Sequence, residues 1–149
     1  MANFWLFQAI PQRFDFDGFL RSSSTECDWL AAQHRKDMRV GDGVVLWRGK
    51  GANPVGAGAV GWARISSLPS LRADTSPAAS YWVDRSEAAA PEYRVRLQMV
   101  ETRPGKPLHY NILKHDAALK DMGIFKQRQG SNFWLHPSEV ERLAELWSR

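Results

Sequence analysis

The chain ends on a helix that its own spacing dictates, and almost nothing upstream shares that spacing. His136-Pro137-Ser138-Glu139 puts proline at the first helical position, where its missing N–H is no loss, and a carboxylate in the first turn. Val140, Leu143, Ala144 and Trp147 follow at i, i+3, i+4 and i+7, a full apolar stripe that needs a surface to cover. The earlier apolar residues come in short runs punctuated by glycine and proline, which is how strands read. Phe4-Trp5-Leu6-Phe7-Gln8-Ala9, stopped by Pro11, reads as a buried strand. Val40-Gly41-Asp42-Gly43 is a tight turn into a strand over Val44-Val45-Leu46-Trp47.

Past a Gly-, Asn- and Pro-containing loop from Gly49 to Pro54, Val55 to Ile65 alternates, with small residues on one side where a backbone or ligand can approach closely. Arg94 to Val100 has strict period two, which predicts Val95, Leu97 and Met99 facing a core and Arg94, Arg96 and Gln98 facing water. Tyr81-Trp82-Val83 and Asn132-Phe133-Trp134-Leu135 are further strand candidates. Two internal helices are predicted, a short one from Thr25 carrying Trp29, Leu30 and Gln33, and one over Leu108–Met122 closed by Gly123. Phe14 to Leu20 and Ser66 to Ala79 read as irregular chain, on account of Gly18 and the Ser- and Pro-rich composition. Strands and helices do not alternate regularly, which argues against a doubly wound parallel sheet. The expectation is one α+β domain over residues 1–149, a small partly open barrel of about five or six strands with short helices at its ends.

Catalytic and metal chemistry find little support. Cys27 is the lone cysteine, and His34, His109, His115 and His136 have no thiolate companions and no His-x-x-x-His spacing. Asp15 and Asp17 are two apart but lack the partners of a divalent-ion nuclease site, and no serine sits in a Gly-x-Ser-x-Gly elbow. Gly56-x-Gly58-x-x-Gly61 lies inside an alternating strand rather than between a strand and a helix, so it is no dinucleotide fingerprint. Twenty Lys and Arg against 16 Asp and Glu, a net charge of +4, permit nucleic-acid binding without requiring it. No stretch approaches the ~20 apolar residues of a membrane span, and no basic leader opens the chain, so the expected address is the cytoplasm. Seven tryptophans offer the better lead, because flat rings are what a planar base stacks on. Trp5, Trp82, Trp134 and Trp147 sit in apolar surroundings that suit a core, whereas Trp29 and Trp47 stand beside charged residues.

Several motifs occur in a suggestive order. Phe4-Trp5-Leu6-Phe7 precedes a proline, Trp29 follows the first loop, Met38-Arg39-Val40-Gly41-Asp42 leads into the second strand, and Val60-Gly61-Trp62-Ala63 forms a glycine-containing central strand. Phe125, then Gln129-Gly130-Ser131-Asn132-Phe133, then Leu135 and a closing helix complete the set. Together they resemble the EVE domain, a member of the PUA-like superfamily that also holds the YTH and ASCH domains. Ile10-Pro11 and Ala63 depart from the family pattern. The resemblance implies a PUA-like pseudo-barrel and a non-catalytic module without cofactor or metal. It implies a pocket that reads a modified base, modified cytosine in DNA ahead of RNA. Trp29 is the position matching a cage tryptophan, and Trp47 or Trp82 is the second wall. Arg39, Arg48 and Lys50 would lie near the rim and neutralise phosphates, with Gly41 and Asp42 as the structural turn. A nuclease or other effector would be a separate partner. The alternatives are an RNA-binding relative of the same superfamily and an enzyme acting on a small nucleoside-like molecule. The enzyme would need a reactive Asp or Cys facing the pocket.

Overall fold

The computed structural model describes residues 2–50, 56–127 and 129–149. Its strands are β1 (Phe4–Ala9), β2 (Glu26–Leu30), β3 (Gly43–Arg48), β4 (Gly58–Arg72), β5 (Glu92–Thr102), β6 (Leu108–His109) and β7 (Asn132–Leu135). The helices are α1 (Phe16–Arg21), α2 (Arg85–Ala89), α3 (Tyr110–Lys114), α4 (Gly123–Lys126) and α5 (Pro137–Trp147), with a 3-10 helix at Pro77–Tyr81. One mixed sheet runs β2-β5-β4-β3-β1-β7, and the two-residue β6 joins β4 off this path. Among the described residues only the β1–β3 pair is parallel.

Strand parity divides the core in two. In β1, Trp5, Phe7 and Ala9 belong to one cluster, and Leu6, with Phe4 packed alongside, to the other. Its parallel partner β3 repeats the division: Val44 and Leu46 go with Trp5 and Phe7, Val45 and Trp47 with Leu6. The first face is covered by Phe16 and Phe19 of α1, by Trp82, and by Ala88 of α2. The second is covered by Leu113, Leu119, Met122, Ile124 and, from α5, Leu143. The closing helix forms as its spacing requires. His136 and Glu139 complete a reciprocal cap, Pro137 opens the first turn, and Leu143 and Trp147 are buried. Val140 is half-buried, whereas Ala144 faces solvent.

Tertiary pairing overrides several local expectations. Residues 26–30 are not helical but form β2, because pairing Trp29 with Val95 and Cys27 with Leu97 buries both Cys27 and Trp29 on the first face. Phe14–Leu20 is not irregular: Asp15 caps α1 through the Gly18 N–H. The Ser66–Ala79 loop begins later than expected, since β4 continues to Arg72 with register shifts along β5. Residues 81–83 make no strand; Trp82 follows the 3-10 helix and forms a single bridge to Phe14. The helix expected over 108–122 is reduced to α3, with Ile112 67% exposed, and Gly123 opens α4 rather than closing a helix. Arg94, expected in water, is fully buried, and its guanidinium donates to the carbonyls of Arg72, Glu87 and Ala90. The loop expected from Gly49 to Pro54 and the strand start at Val55 fall largely on residues 51–55, outside the described residues. No helix among the described residues is long and apolar enough to cross a membrane.

Candidate functional site

At the end of β1, where the sheet meets the segment leading into β7, a cavity of about 40 Å³ has aromatic walls from Phe14, Trp29 and Trp82 and a polar margin from Gln8, Arg13, Asp28 and Ser131. β2 supplies Trp29, whose ring packs edge-on to Phe16 at 5.4 Å and tilted to Phe7 at 6.2 Å. Trp82 lines the same cavity, its ring centroid 5.2 Å from that of Phe14. Arg13, Leu30, Trp82 and Ser131 also border an open groove of about 650 Å³, so the cavity adjoins the groove. Arg35 lies along that groove with its guanidinium 4.0 Å from the centre of the Tyr93 ring.

Two networks fix these walls. The first is ionic. The buried Asp28 carboxylate accepts from Arg72 Nη1 and Nη2, from Arg96 Nε and from the Thr75 N–H. Burial alone would raise its pKa, but the hydrogen bonds from Arg72 and Arg96 outweigh it and hold the carboxyl below the usual range. Asp74 accepts from Trp82 Nε1 at 2.9 Å and from Ser76, which fixes the plane of the indole. The second network is amide-based. Asn132 Oδ1 accepts from the Gln33 N–H, its Nδ2 donates to the Leu30 carbonyl, and Gln33 Oε1 accepts from the N–H groups of Ser131 and Asn132. The Gly130 carbonyl accepts from Gln8 Nε2, and a Cβ at Gly130 would come within 2.7 Å of the Phe133 ring. The Gly-Ser-Asn-Phe run is therefore the clip that joins β7, β2 and β1 around the cavity.

The buried tryptophans fall into two sets by their N–H groups. Of the buried tryptophans, Trp5, Trp82 and Trp147 each donate to a carboxylate, on Asp42, Asp74 and Glu101. The indole N–H groups of Trp29 and Trp47 donate to none of the described residues, and neither is sealed from solvent. Both of these residues line cavities.

The EVE domain family model matches residues 3–146. The chain belongs to the EVE domain family. Human THYN1, solved in complex with 5-methylcytosine-containing DNA, matches with a TM-score of 0.69 at 16% identity over 99% of each chain. A hypothetical protein of Leishmania major matches at 0.68 and 22% identity, covering 100% of this chain and 98% of that one. An ASCH protein of Zymomonas mobilis matches at 0.57 and 13% identity, covering 97% and 99%. None of the curated proteins matches the chain. The mixed sheet with short helices is the PUA-like fold that these structures share.

In this EVE domain the residues singled out from the sequence are distributed over four places. Trp29 and Trp82 meet in the cavity at the end of β1. Trp47 does not join them. Parity sends it to the other face, where it packs edge-on to Phe125 at 5.9 Å and borders a second cavity together with Lys50. Arg39 is exposed beside the Gly41-Asp42 turn, and its guanidinium donates to the carbonyls of Lys36 and Met38. Gly41 has φ +93°, and Asp42 accepts from the Trp5 indole and from the N–H groups of Asn3 and Arg39. Arg48 departs most from expectation. It is 8% exposed and ties Asp17 to the carbonyls of Gly56 and Pro104, so its donors bind the protein itself. Missed from the sequence were Phe14, Gln8, Arg13, Asp28 and Ser131. Only Ser131 carried a signal, within the Gly130-Ser131-Asn132 motif. Among the described residues no group of three His, Cys, Asp or Glu is placed to hold a metal ion.

Proposed function

We propose that this EVE domain binds nucleic acid and reads a modified base, modified cytosine in DNA in the first instance, in the cavity walled by Trp29, Trp82 and Phe14. The carrying observation is the convergence of two tryptophans from distant parts of the chain on one cavity, one of them with an unspent indole N–H. Stacking contributes about 1–3 kcal/mol per base, and a donor at the wall gives the hydrogen-bonding edge something to read. The complex of its relative THYN1 with 5-methylcytosine-containing DNA supports the same ligand class. At about 40 Å³ the cavity holds water but not a ring, so an extruded base must widen it from the groove side. Arg13 and Arg35 border that groove and are the cations suited to the flanking phosphates; Arg39, exposed beside the Gly41-Asp42 turn, serves a longer strand. A nuclease or other effector acts as a separate partner.

The enzyme reading needs a reactive acid or thiol at the cavity. Asp28 borders it, but its oxygens are engaged by Arg72, Arg96 and Thr75. Burial pushes the Cys27 thiol up, and the charges of Asp28 and Asp74 push it further, which disfavours a thiolate nucleophile. The geometry therefore supports binding over chemistry.

The test is a panel of matched DNA and RNA oligonucleotides carrying cytosine, 5-methylcytosine, 5-hydroxymethylcytosine or N6-methyladenine, titrated against wild type and Trp29→Phe. The expected outcome is a preference for modified DNA of roughly tenfold to a few hundredfold, the range that one methyl-sized group can supply, reduced in the variant. A preference confined to RNA would transfer the reading to an RNA ligand. Equal affinity across the panel would end the base-reader reading.

A further inference from the structure

On the opposite face of the sheet, a second cavity of about 210 Å³ opens between β3 and the α3–α4 layer. Trp47, Phe125 and Tyr110 supply aromatic surface, and Lys50 and Lys114 supply charge. Among the described residues its lining contains no Asp or Glu. Lys50 Nζ stands 4.2 Å from the centre of the Tyr110 ring, which holds the ammonium group at the wall rather than free in solvent. Among the described residues neither lysine has a carboxylate within salt-bridge distance, although the arginines at positions 13, 48, 72, 96 and 142 all do. Trp47 is 3% exposed, and its indole N–H donates to none of the described residues.

These features belong together chemically. Flat apolar walls favour an aromatic ring, an unspent N–H favours an acceptor on that ring, and two unpaired ammonium groups favour a compact anion beside it. We infer that this second cavity is a binding site for a planar ring carrying a phosphate, the chemistry of a 5′-nucleotide. Such a ligand has two sources, a free mononucleotide or one nucleotide of a strand. The site does not depend on the base-reading cavity, from which it is separated by the end of β1; Gln8 and Ile10 border both.

The experiment is a chemical-shift titration of the 15N-labelled full chain with 5′-CMP and 5′-AMP, with cytidine, adenosine and inorganic phosphate as controls. The expected result is movement of the amides of Gly49, Lys50, Ala57, Tyr110 and Phe125, larger for the nucleotides than for nucleosides or phosphate. A Lys50→Gln/Lys114→Gln variant should weaken nucleotide binding about tenfold, since two charge-assisted contacts are lost at an exposed rim. Both lysine side chains reach the surface, so the fold should be retained, which the unperturbed part of the spectrum reports. Trp29→Phe should leave this response intact, which separates the site from the base reader. A 5′-phosphorylated tetranucleotide identifies the source: tighter binding than 5′-CMP with the same amides moving assigns a strand, and equal or weaker binding assigns the free nucleotide. The inference is overturned if the nucleotides move only amides around Trp29 and Trp82, if phosphate alone reproduces the response, or if the double variant binds as wild type does.

Discussion

The two faces of the sheet differ in what their large side chains do with polar atoms. On the first face, Trp5 and Trp82 are tied by their indole N–H groups to the buried carboxylates of Asp42 and Asp74, and Asp28 gathers Arg72, Arg96 and the Thr75 N–H. On the second face, Leu6, Val45, Leu113, Leu119, Met122, Ile124 and Leu143 pack with no such bonds to make. Aliphatic packing tolerates adjustment, whereas a hydrogen-bonded indole holds one plane. Bracing of this kind fixes the plane of the Trp82 ring, and the braces lie on the face that carries the Trp29–Trp82 pair. The second face opens a wider cavity with cations at its edge, so it suits a ligand chosen by charge as much as by shape.

If bracing is what distinguishes the first face, removing its central anion should cost most. Asp28→Asn leaves the guanidinium groups of Arg72 and Arg96 facing a neutral amide, and breaking a buried ion pair from one side costs about 3–5 kcal/mol. Denaturant melts would measure it. The effect has a defined pH dependence. The folded pKa of Asp28 is depressed, so its stabilisation is present above the unfolded carboxylate pKa of about 3.9 and is lost as pH falls through the folded value. Wild type should therefore lose its advantage over the variant below about pH 4. A constant difference down to pH 2 would show that shape rather than charge holds this end of β2.

The second face should respond to volume instead. Leu143→Ala removes a fully buried side chain from the aliphatic cluster and should cost about 2–5 kcal/mol, with no change in the difference between pH 7 and pH 4. A loss below about half a kcal/mol would mean that α5 is not part of a shared core. A smaller effect is expected at the brace of Trp82. Asp74→Asn retains a hydrogen-bond acceptor but not its charge, and hydrogen bonds to charged groups contribute about 1.5–3 kcal/mol. Modified-base preference should fall further than stability does, because the indole loses its fixed plane. If preference is unchanged while stability drops, Asp74 serves the fold alone.

What the sequence made legible follows the same division. Elements whose identity rests on one strand's own pattern were readable: β1 and β3 from their apolar runs, β5 from strict alternation at Val95 and Leu97, and α5 from its stripe and cap. Elements decided by a distant partner were not. Residues 26–30 carry helical spacing at Trp29, Leu30 and Gln33, yet pairing with β5 makes them a strand. Leu108–Met122 has helical composition, yet antiparallel pairing of Leu108–His109 with β4 and the burial of Leu113 and Leu119 break it into short pieces. At the cavities, the residue types were legible and the grouping was not. Trp29 and Trp47 read alike along the chain, each beside charged residues, whereas Trp82 reads as core; the parity shared by β1 and β3 sends Trp47 to the other face, and Trp82 joins Trp29 instead. Arg48 was misread for a similar reason. A strand-end arginine beside a loop looks solvated until the Gly56 and Pro104 carbonyls that need a donor are placed around it.

The smallest energetic effect is expected at Arg13, and it sharpens the comparison most directly, because Arg13 borders both the braced cavity and the groove. It pairs with Glu87 at 3.3 Å, with half of the arginine side chain exposed. An exposed pair of this kind contributes less than about 1 kcal/mol, so Arg13→Gln should leave the melting curve nearly unchanged. Its role in binding would be of another kind. If the guanidinium meets a phosphate beside an extruded base, its loss should weaken DNA binding whatever the base and lower the slope of log K against log salt by about 1. The ratio of affinities for modified and plain cytosine should survive, since the aromatic walls are untouched. The opposite pattern, an unchanged salt slope with base preference lost, would mean that Arg13 reads the base and that the phosphates lie elsewhere along the groove. Titrations of matched methylated and plain duplexes at several salt concentrations, on Arg13→Gln beside wild type, separate the two. A variant indistinguishable from wild type in both slope and ratio would detach the groove from the cavity altogether, and the first face would then be a braced core with no nucleic acid at its mouth.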